Sequence, residues 1–74
     1  MADGDREDLG RRALAAWFRT GETEPVTPEV AEHAGRRYVV LRDSGGAVAG
    51  VYRVRRHDGM LQRMRRPPAE IMAG

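Results

Sequence analysis

The chain has 74 residues, which is room for one domain near the smallest size that a hydrophobic core alone can stabilise. It contains no cysteine, so disulfides and thiolate metal sites are excluded, and no apolar run is long enough to predict a membrane span. Its net charge is +2, from thirteen arginines, no lysine and eleven acidic residues.

The segment 5–20 has the residue pattern of an amphipathic helix. Its apolar residues recur at helical spacing and are Leu9, Ala13, Ala16 and Trp17. Acidic residues near its start suit the positive end of the helix dipole, and Gly21 is placed to end the helix in a left-handed conformation. We therefore expect a core helix that buries Trp17 and Phe18, with residues 1–7 as an acidic arm.

A second, shorter helix is predicted over residues 27–35. Thr27 is a suitable N-cap, Pro28 fits the first helical position, and Gly35 stands where such a helix would end. Its apolar contacts would be limited to Val30, Ala31 and Ala34.

From Arg36 onward the apolar period changes to two, which predicts an antiparallel meander. Three strands are expected, at residues 38–41, 48–56 and 60–65, joined by hairpin turns at 43–46 and 57–59. Two prolines end the third strand, and residues 67–74 form a tail that adds a helical turn or frays. The chain is thus predicted to be a single α+β domain, α-α-β-β-β, with the first helix packed across the sheet.

The predicted hairpins sort the strand residues onto two faces of the sheet. One face would hold the first helix and collects Val39, Leu41, Val48, Tyr52, Val54, Met60 and Met64. The opposite face mixes arginines with apolar side chains: Arg42, Arg53, Arg55, Arg63 and Arg65 with Tyr38, Val40, Val51 and Leu61. On that face Arg53 and Arg63 would lie opposite each other, a like-charge pair that destabilises unless an anion offsets it.

Charge is distributed unevenly along the chain. Residues 1–35 hold four arginines against eight acidic residues, a net charge of −4, whereas residues 36–66 hold nine against two, a net charge of +7. This asymmetry predicts an anionic partner for the second half. The alternative is that the two halves attract each other and their fields cancel outside the molecule.

Two segments, VTPEVAEHAG at residues 26–35 and VYRVRRHDGML at residues 51–61, resemble parts of the MerR-like excisionases. The resemblance implies DNA binding, with Tyr52, Arg53 and Arg55 on a recognition helix. In that family the two segments nearly adjoin, whereas residues 36–50 separate them here and predict a hairpin. We therefore expect residues 51–55 to form a strand, and we assign the chain to no family.

The arginine-rich sheet face is the predicted functional surface. Because guanidinium groups bind phosphate bidentately and stack on bases, the leading hypothesis is a non-enzymatic, accessory nucleic-acid-binding module. Its predicted contacts to DNA or RNA are Arg42, Arg53, Arg55, Arg63, Arg65 and Tyr38. Two alternatives stay open: a solvated face whose arginine stems cover apolar residues, or a protein interface centred on Val40, Val51 and Leu61.

Catalytic and metal sites are not predicted. The two histidines, His33 and His57, have no carboxylate cluster beside them, and the hydroxyl side chains have no evident base. We expect no enzyme activity, cofactor, metal or small-molecule substrate. Because the acidic N-terminus is unlike a signal peptide, we expect a cytoplasmic protein without membrane association. The few large core side chains predict a homodimer. An acidic protein surface is the alternative partner to nucleic acid.

Overall fold

The computed structural model of the protein describes residues 3–73. The elements in chain order are helix α1 (Asp3–Arg19), strands β1 (Thr27–His33), β2 (Arg36–Arg42), β3 (Val48–Val54) and β4 (Leu61–Arg63), and helix α2 (Ala69–Ala73). The strands form one antiparallel sheet in the order β1-β2-β3-β4, so each strand pairs with its neighbour in sequence. The predicted α+β class, with an N-terminal helix, a short second helix and an antiparallel meander, is confirmed.

Helix α1 covers nearly the predicted span, and Leu9, Ala13 and Trp17 are buried as expected from their spacing. The prediction that Phe18 is a core residue is wrong, because its side chain is 46% exposed. Residues 3–7, predicted as an acidic arm, are instead the first turns of α1, where the charges of Asp5 and Glu7 lie at the positive end of the helix dipole. Residues 1 and 2 of the predicted arm and residue 74 of the predicted tail lie outside the described residues.

The helix predicted over residues 27–35 is wrong, because this segment forms strand β1. It pairs with β2 along its whole length, from Thr27 opposite Arg42 to His33 opposite Arg36. Ala34 and Gly35 both have positive φ, 52° and 75°, as the central residues of a two-residue hairpin turn require. The glycine therefore turns the chain between two strands and does not end a helix. The short second helix is α2, so the order of elements is α-β-β-β-β-α.

The predicted hairpin at residues 57–59 is one residue too short. The Arg55 amide donates to the Met60 carbonyl at 2.9 Å, and Val54 pairs with Leu61, so the loop has four residues, 56–59. Because side chains alternate along a strand, this shift exchanges the two faces of the third predicted strand. Leu61 and Arg63 consequently lie on the face that holds α1, whereas Met60, which was predicted on that face, is exposed at the strand entrance.

Apolar side chains form clusters on both faces of the sheet. On one face α1 packs across the sheet, closest to β1 and β2, and the buried residues are Leu9, Ala13, Trp17, Val39, Leu41, Tyr52 and Val54. We call the opposite side the outer face; its buried cluster is Tyr38, Val40, Val51 and Ile71, with Met64 and Val48 packed beside it. Val48 was predicted on the helix face, but an irregularity in register between Leu41 and Arg42 moves it to the outer face.

Candidate functional site

The centre of the outer face is covered by α2. The Ile71 side chain packs against Tyr38, Val40 and Val51, which are 4%, 1% and 1% exposed. This burial removes the Tyr38 ring as an exposed stacking surface and removes Val40 and Val51 as an exposed interface. The tail over residues 67–74 was expected to add a helical turn or to fray, and residues 69–73 form that helical turn. No local sequence signal indicated that this turn covers the sheet.

Two of the predicted contact arginines lie on the outer face and have partners there. Arg42 Nε lies 3.3 Å from Glu29 Oε2, and Arg42 Nη1 donates to the Gly46 carbonyl at 3.0 Å. Arg53 Nη2 donates to Gln62 Oε1 at 2.8 Å, because Arg53 and Gln62 are directly opposite in the β3–β4 ladder. The predicted opposition of Arg53 and Arg63, and the repulsion that it would cause, are therefore absent.

The side chains of β4 and of residues 64 and 65 are not arranged as predicted. Leu61 packs on the α1 side of the sheet, and the Arg63 guanidinium lies 5.1 Å from the centre of the Trp17 ring. Arg63, Met64 and Arg65 line a groove of about 620 Å³ along the β4 edge. Both arginines are exposed. The β4 edge is therefore basic, although Arg63 does not share the outer face with Arg53.

Arg55 belongs to the β3–β4 loop, which Asp58 holds together. Asp58 Oδ1 accepts from the Met60 amide at 3.0 Å, while Asp58 Oδ2 lies 3.3 Å from both Arg55 Nη2 and His57 Nε2. The hydrogen bond from Met60 is the largest cause that lowers the pKa of Asp58, partial desolvation opposes it, and the Arg55 and His57 charges lower it further. The His57–Asp58 pair thus has a structural role in the turn.

Three basic residues outside the predicted set complete a cluster at one end of the sheet. Arg36, Arg37 and Arg56 join Arg55 around a cleft between the β1–β2 turn and the β3–β4 loop. The sequence signal that could have found them is the pair of Arg-Arg dipeptides, residues 36–37 and 55–56, each beside a turn. Because consecutive side chains on a strand point to opposite faces, sorting the arginines by sheet face separates the two members of each dipeptide.

Most of the basic charge of residues 36–66 is not neutralised by ion pairs. Within residues 3–73, Arg42 pairs with Glu29 and Arg55 pairs with Asp58. Six arginines have no carboxylate at ion-pairing distance in the described part of the chain: Arg36, Arg53, Arg56, Arg63, Arg65 and Arg66. All of these except the half-buried Arg53 are exposed. Direct pairing between the acidic and basic halves therefore leaves much of the positive charge available to a partner.

No group of three or more histidine or acidic side chains in residues 3–73 is placed to hold a metal ion, and no helix there is long and apolar enough to cross a membrane. Comparison of the chain with protein-family models, with curated proteins and with solved structures gives no match. The surface chemistry of the protein is therefore the basis for its functional interpretation.

Proposed function

We propose that the protein is a non-enzymatic nucleic-acid-binding module that contacts phosphates through arginines on the β4 side of the sheet. The contact set is named here the edge arginines and consists of the exposed residues Arg63, Arg65 and Arg66. The observation that supports the proposal is that none of these side chains is paired with a carboxylate among residues 3–73. Unpaired guanidinium groups are suited to phosphate, which they bind with two parallel hydrogen bonds.

The arrangement favours contact with the nucleic-acid backbone over recognition of bases. Trp17, Tyr38 and Tyr52 are each 4% exposed, so none of these three rings offers a face on which a base could stack, and Phe18, which is 46% exposed, belongs to α1 and not to β4 or the residues after it. Phosphate contacts supply affinity and position but carry no sequence information directly. The expected activity is therefore binding to DNA or RNA with little base preference and with strong dependence on salt.

The distribution of charge across the sheet is consistent with this proposal. Edge strand β1 carries Glu29 and Glu32, whereas the opposite edge carries Arg63 and is followed by Arg65 and Arg66. A nucleic acid approaching the β4 edge therefore meets positive charge, while the acidic residues of β1 lie across the width of the sheet. Such a field increases the association rate of an anionic partner and orients its approach.

The proposal is tested by fluorescence anisotropy with a labelled DNA duplex and a labelled single-stranded RNA. The Arg63→Ala/Arg65→Ala variant should bind both more weakly than the wild-type protein, because it lacks two phosphate contacts. Its matched control is Arg11→Ala/Arg19→Ala, which removes the same charge from exposed positions of α1 and should retain most of the affinity. Equal losses in the two variants would show that only net charge matters and would contradict the assigned surface.

Self-association is a second proposal, favoured by the opposite charges of the two sheet edges. Strands β1 and β4 are the outermost strands of the sheet, and the glutamates of β1 complement the arginines beside β4. Sedimentation should then show association at about 50 mM salt that weakens as salt rises. A monomer at several hundred micromolar protein and low salt would contradict this proposal.

A further inference from the structure

The Arg63 side chain reaches from strand β4 to the indole ring of Trp17 in α1. Its Cζ atom lies 5.1 Å from the centre of the ring, a distance at which the face of an aromatic ring attracts a guanidinium group. Among aromatic side chains, tryptophan attracts cations most strongly. The contact therefore holds the end of a long, exposed side chain against a residue of the core.

The Trp17 ring is itself held in place by the packing beneath it. It is 4% exposed and belongs to the buried cluster between α1 and the sheet. Gly50 of β3 has no side chain and lets the ring rest directly on the strand, since a Cβ at Gly50 would lie 2.7 Å from Trp17 Cζ3. The ring consequently has little room to move, and it offers the Arg63 guanidinium group a surface of fixed position.

The contact with the ring leaves the hydrogen-bonding capacity of Arg63 available. Among residues 3–73 the Arg63 side chain makes no hydrogen bond and no ion pair. A guanidinium group carries five N–H donors, which suit the oxygen atoms of a phosphate. Arg53, in contrast, donates to Gln62 on the outer face. Arg63 thus combines a fixed position with unused donors.

We infer that Trp17 is a positioning residue for phosphate binding by Arg63. A flexible arginine side chain loses conformational freedom when it binds a phosphate, and a side chain that is held in place beforehand loses less. Trp17 supplies this order without touching the nucleic acid, because its ring is buried. This role rests on the proposed nucleic-acid function, and it adds to that function by giving a core residue of α1 an effect on affinity.

A double-mutant cycle on DNA affinity tests this role. Trp17→Leu should weaken binding of the labelled DNA duplex by about two- to fivefold, the range expected for the loss of one cation–π contact. In the Arg63→Ala background the same substitution should have no further effect, because the side chain that Trp17 positions is absent. Arg66→Ala is the matched background, since Arg66 is exposed and is not the arginine over the ring. There the loss caused by Trp17→Leu should persist.

Trp17→Phe separates positioning from the packing role of Trp17. Phenylalanine keeps an aromatic face for Arg63 and should retain more DNA affinity than leucine, which fills a core position without such a face. Thermal unfolding followed by circular dichroism identifies a temperature at which both variants are folded. Equal affinity of the two folded variants would overturn the positioning role and would leave Arg63 as a side chain that only shields the ring from water.

The fluorescence of Trp17 provides a test on the wild-type protein. Trp17 is the one tryptophan of the chain, so its emission reports on the charge above its ring. Titration with an unlabelled DNA duplex should change this emission with the same dissociation constant as the anisotropy measurement. Arg63→Ala should lose the change in emission but keep weaker DNA binding through Arg65 and Arg66.

The same titration distinguishes failure of the positioning role from failure of the proposed function. DNA binding by the wild-type protein with unchanged Trp17 emission would overturn the positioning role alone. Coupling of Trp17→Leu to Arg66→Ala as strong as its coupling to Arg63→Ala would overturn it as well. Absence of DNA binding by the wild-type protein would contradict the proposed function and, with it, the role of Trp17.

Discussion

The contact between Gly50 and Trp17 gives the most direct test of how α1 packs on the sheet. A Cβ placed on Gly50 would lie 2.7 Å from Trp17 Cζ3, closer than a Cβ atom approaches another atom, and 3.3 Å from Trp17 Cε3, which is a tight contact. Trp17 is 4% exposed and has little room to move. We therefore expect Gly50→Ala to force a shift between α1 and β3.

The expected loss of stability is the difference between two effects. Overpacking of a core costs about 1–3 kcal/mol, and replacing a glycine of negative φ with alanine returns about 0.4–1 kcal/mol by restricting the unfolded chain. The net loss should be about 1–2 kcal/mol. For a domain of this size each kcal/mol lowers Tm by about 4–8 °C, so the melting temperature should fall by about 5–15 °C.

Thermal and urea unfolding followed by circular dichroism measure this effect. Gly45→Ala is the matched control, since the nearest atom to a Cβ there is Asp43 Oδ1 at 3.4 Å, an ordinary contact. It should stay within about 0.5 kcal/mol of the wild-type protein. If Gly50→Ala is as stable as Gly45→Ala, Trp17 does not rest on β3 and the described packing of α1 is refuted.

Three further substitutions test other parts of the fold. Ile71→Ala should lower the free energy of unfolding, measured in urea, by about 2 kcal/mol, because the buried Ile71 side chain holds α2 on the outer face. An unchanged free energy would show that α2 does not pack on the sheet. Ala34→Asn should raise stability by about 0.5–1 kcal/mol, since asparagine tolerates the observed φ of 52° better than alanine does; destabilisation would contradict the turn geometry. The fold lowers the pKa of Asp58 from its ordinary value of 3.8. The ionised side chain therefore stabilises the fold above pH 3.8, and this stabilisation is lost as the pH falls through the lower pKa of the folded state. Asp58→Asn should therefore melt below wild type at pH 6 and approach it at pH 3, and an equal deficit at both values would contradict this role.

Local sequence patterns were sufficient to predict α1, β2 and β3. In these elements the apolar period, the flanking turn residues and the tertiary contacts agree, as Trp17 in α1 and Val39 in β2 show by being buried where predicted. The strand over residues 51–54 also excludes the recognition helix that the excisionase resemblance implied. Consistency between local preference and packing explains why these predictions were confirmed.

Strand β1 could not be predicted because its end residues fit two structures. Thr27, Pro28 and Gly35 suit the ends of a short helix, but Gly35 also suits a two-residue hairpin turn. Pairing with β2 favours the strand, because it satisfies the backbone hydrogen-bonding groups along the full length of β1. Local propensity does not include this gain in stability.

The candidate site depended on features that sequence does not encode locally. The four-residue loop at 56–59 differs by one residue from the predicted loop, and this difference moved Arg63 from the outer face to Trp17. The approach of Arg56 to Gly35 joins positions far apart in sequence. Coverage of Val40 by Ile71 is likewise a long-range contact. The basic character of residues 36–66 was evident from sequence, but the grouping of its arginines required the tertiary structure.

The central claim is that exposed arginines without carboxylate partners bind nucleic-acid phosphates. Its most direct test is the slope of log affinity against log salt for the wild-type protein and for Arg63→Ala/Arg65→Ala, measured on one B-DNA duplex. Loss of two phosphate contacts should reduce the steepness of the slope by up to about 1.8, while circular dichroism shows an unchanged fold. An unchanged slope, or no binding of the wild-type protein to DNA or RNA at about 50 mM salt, would contradict the claim.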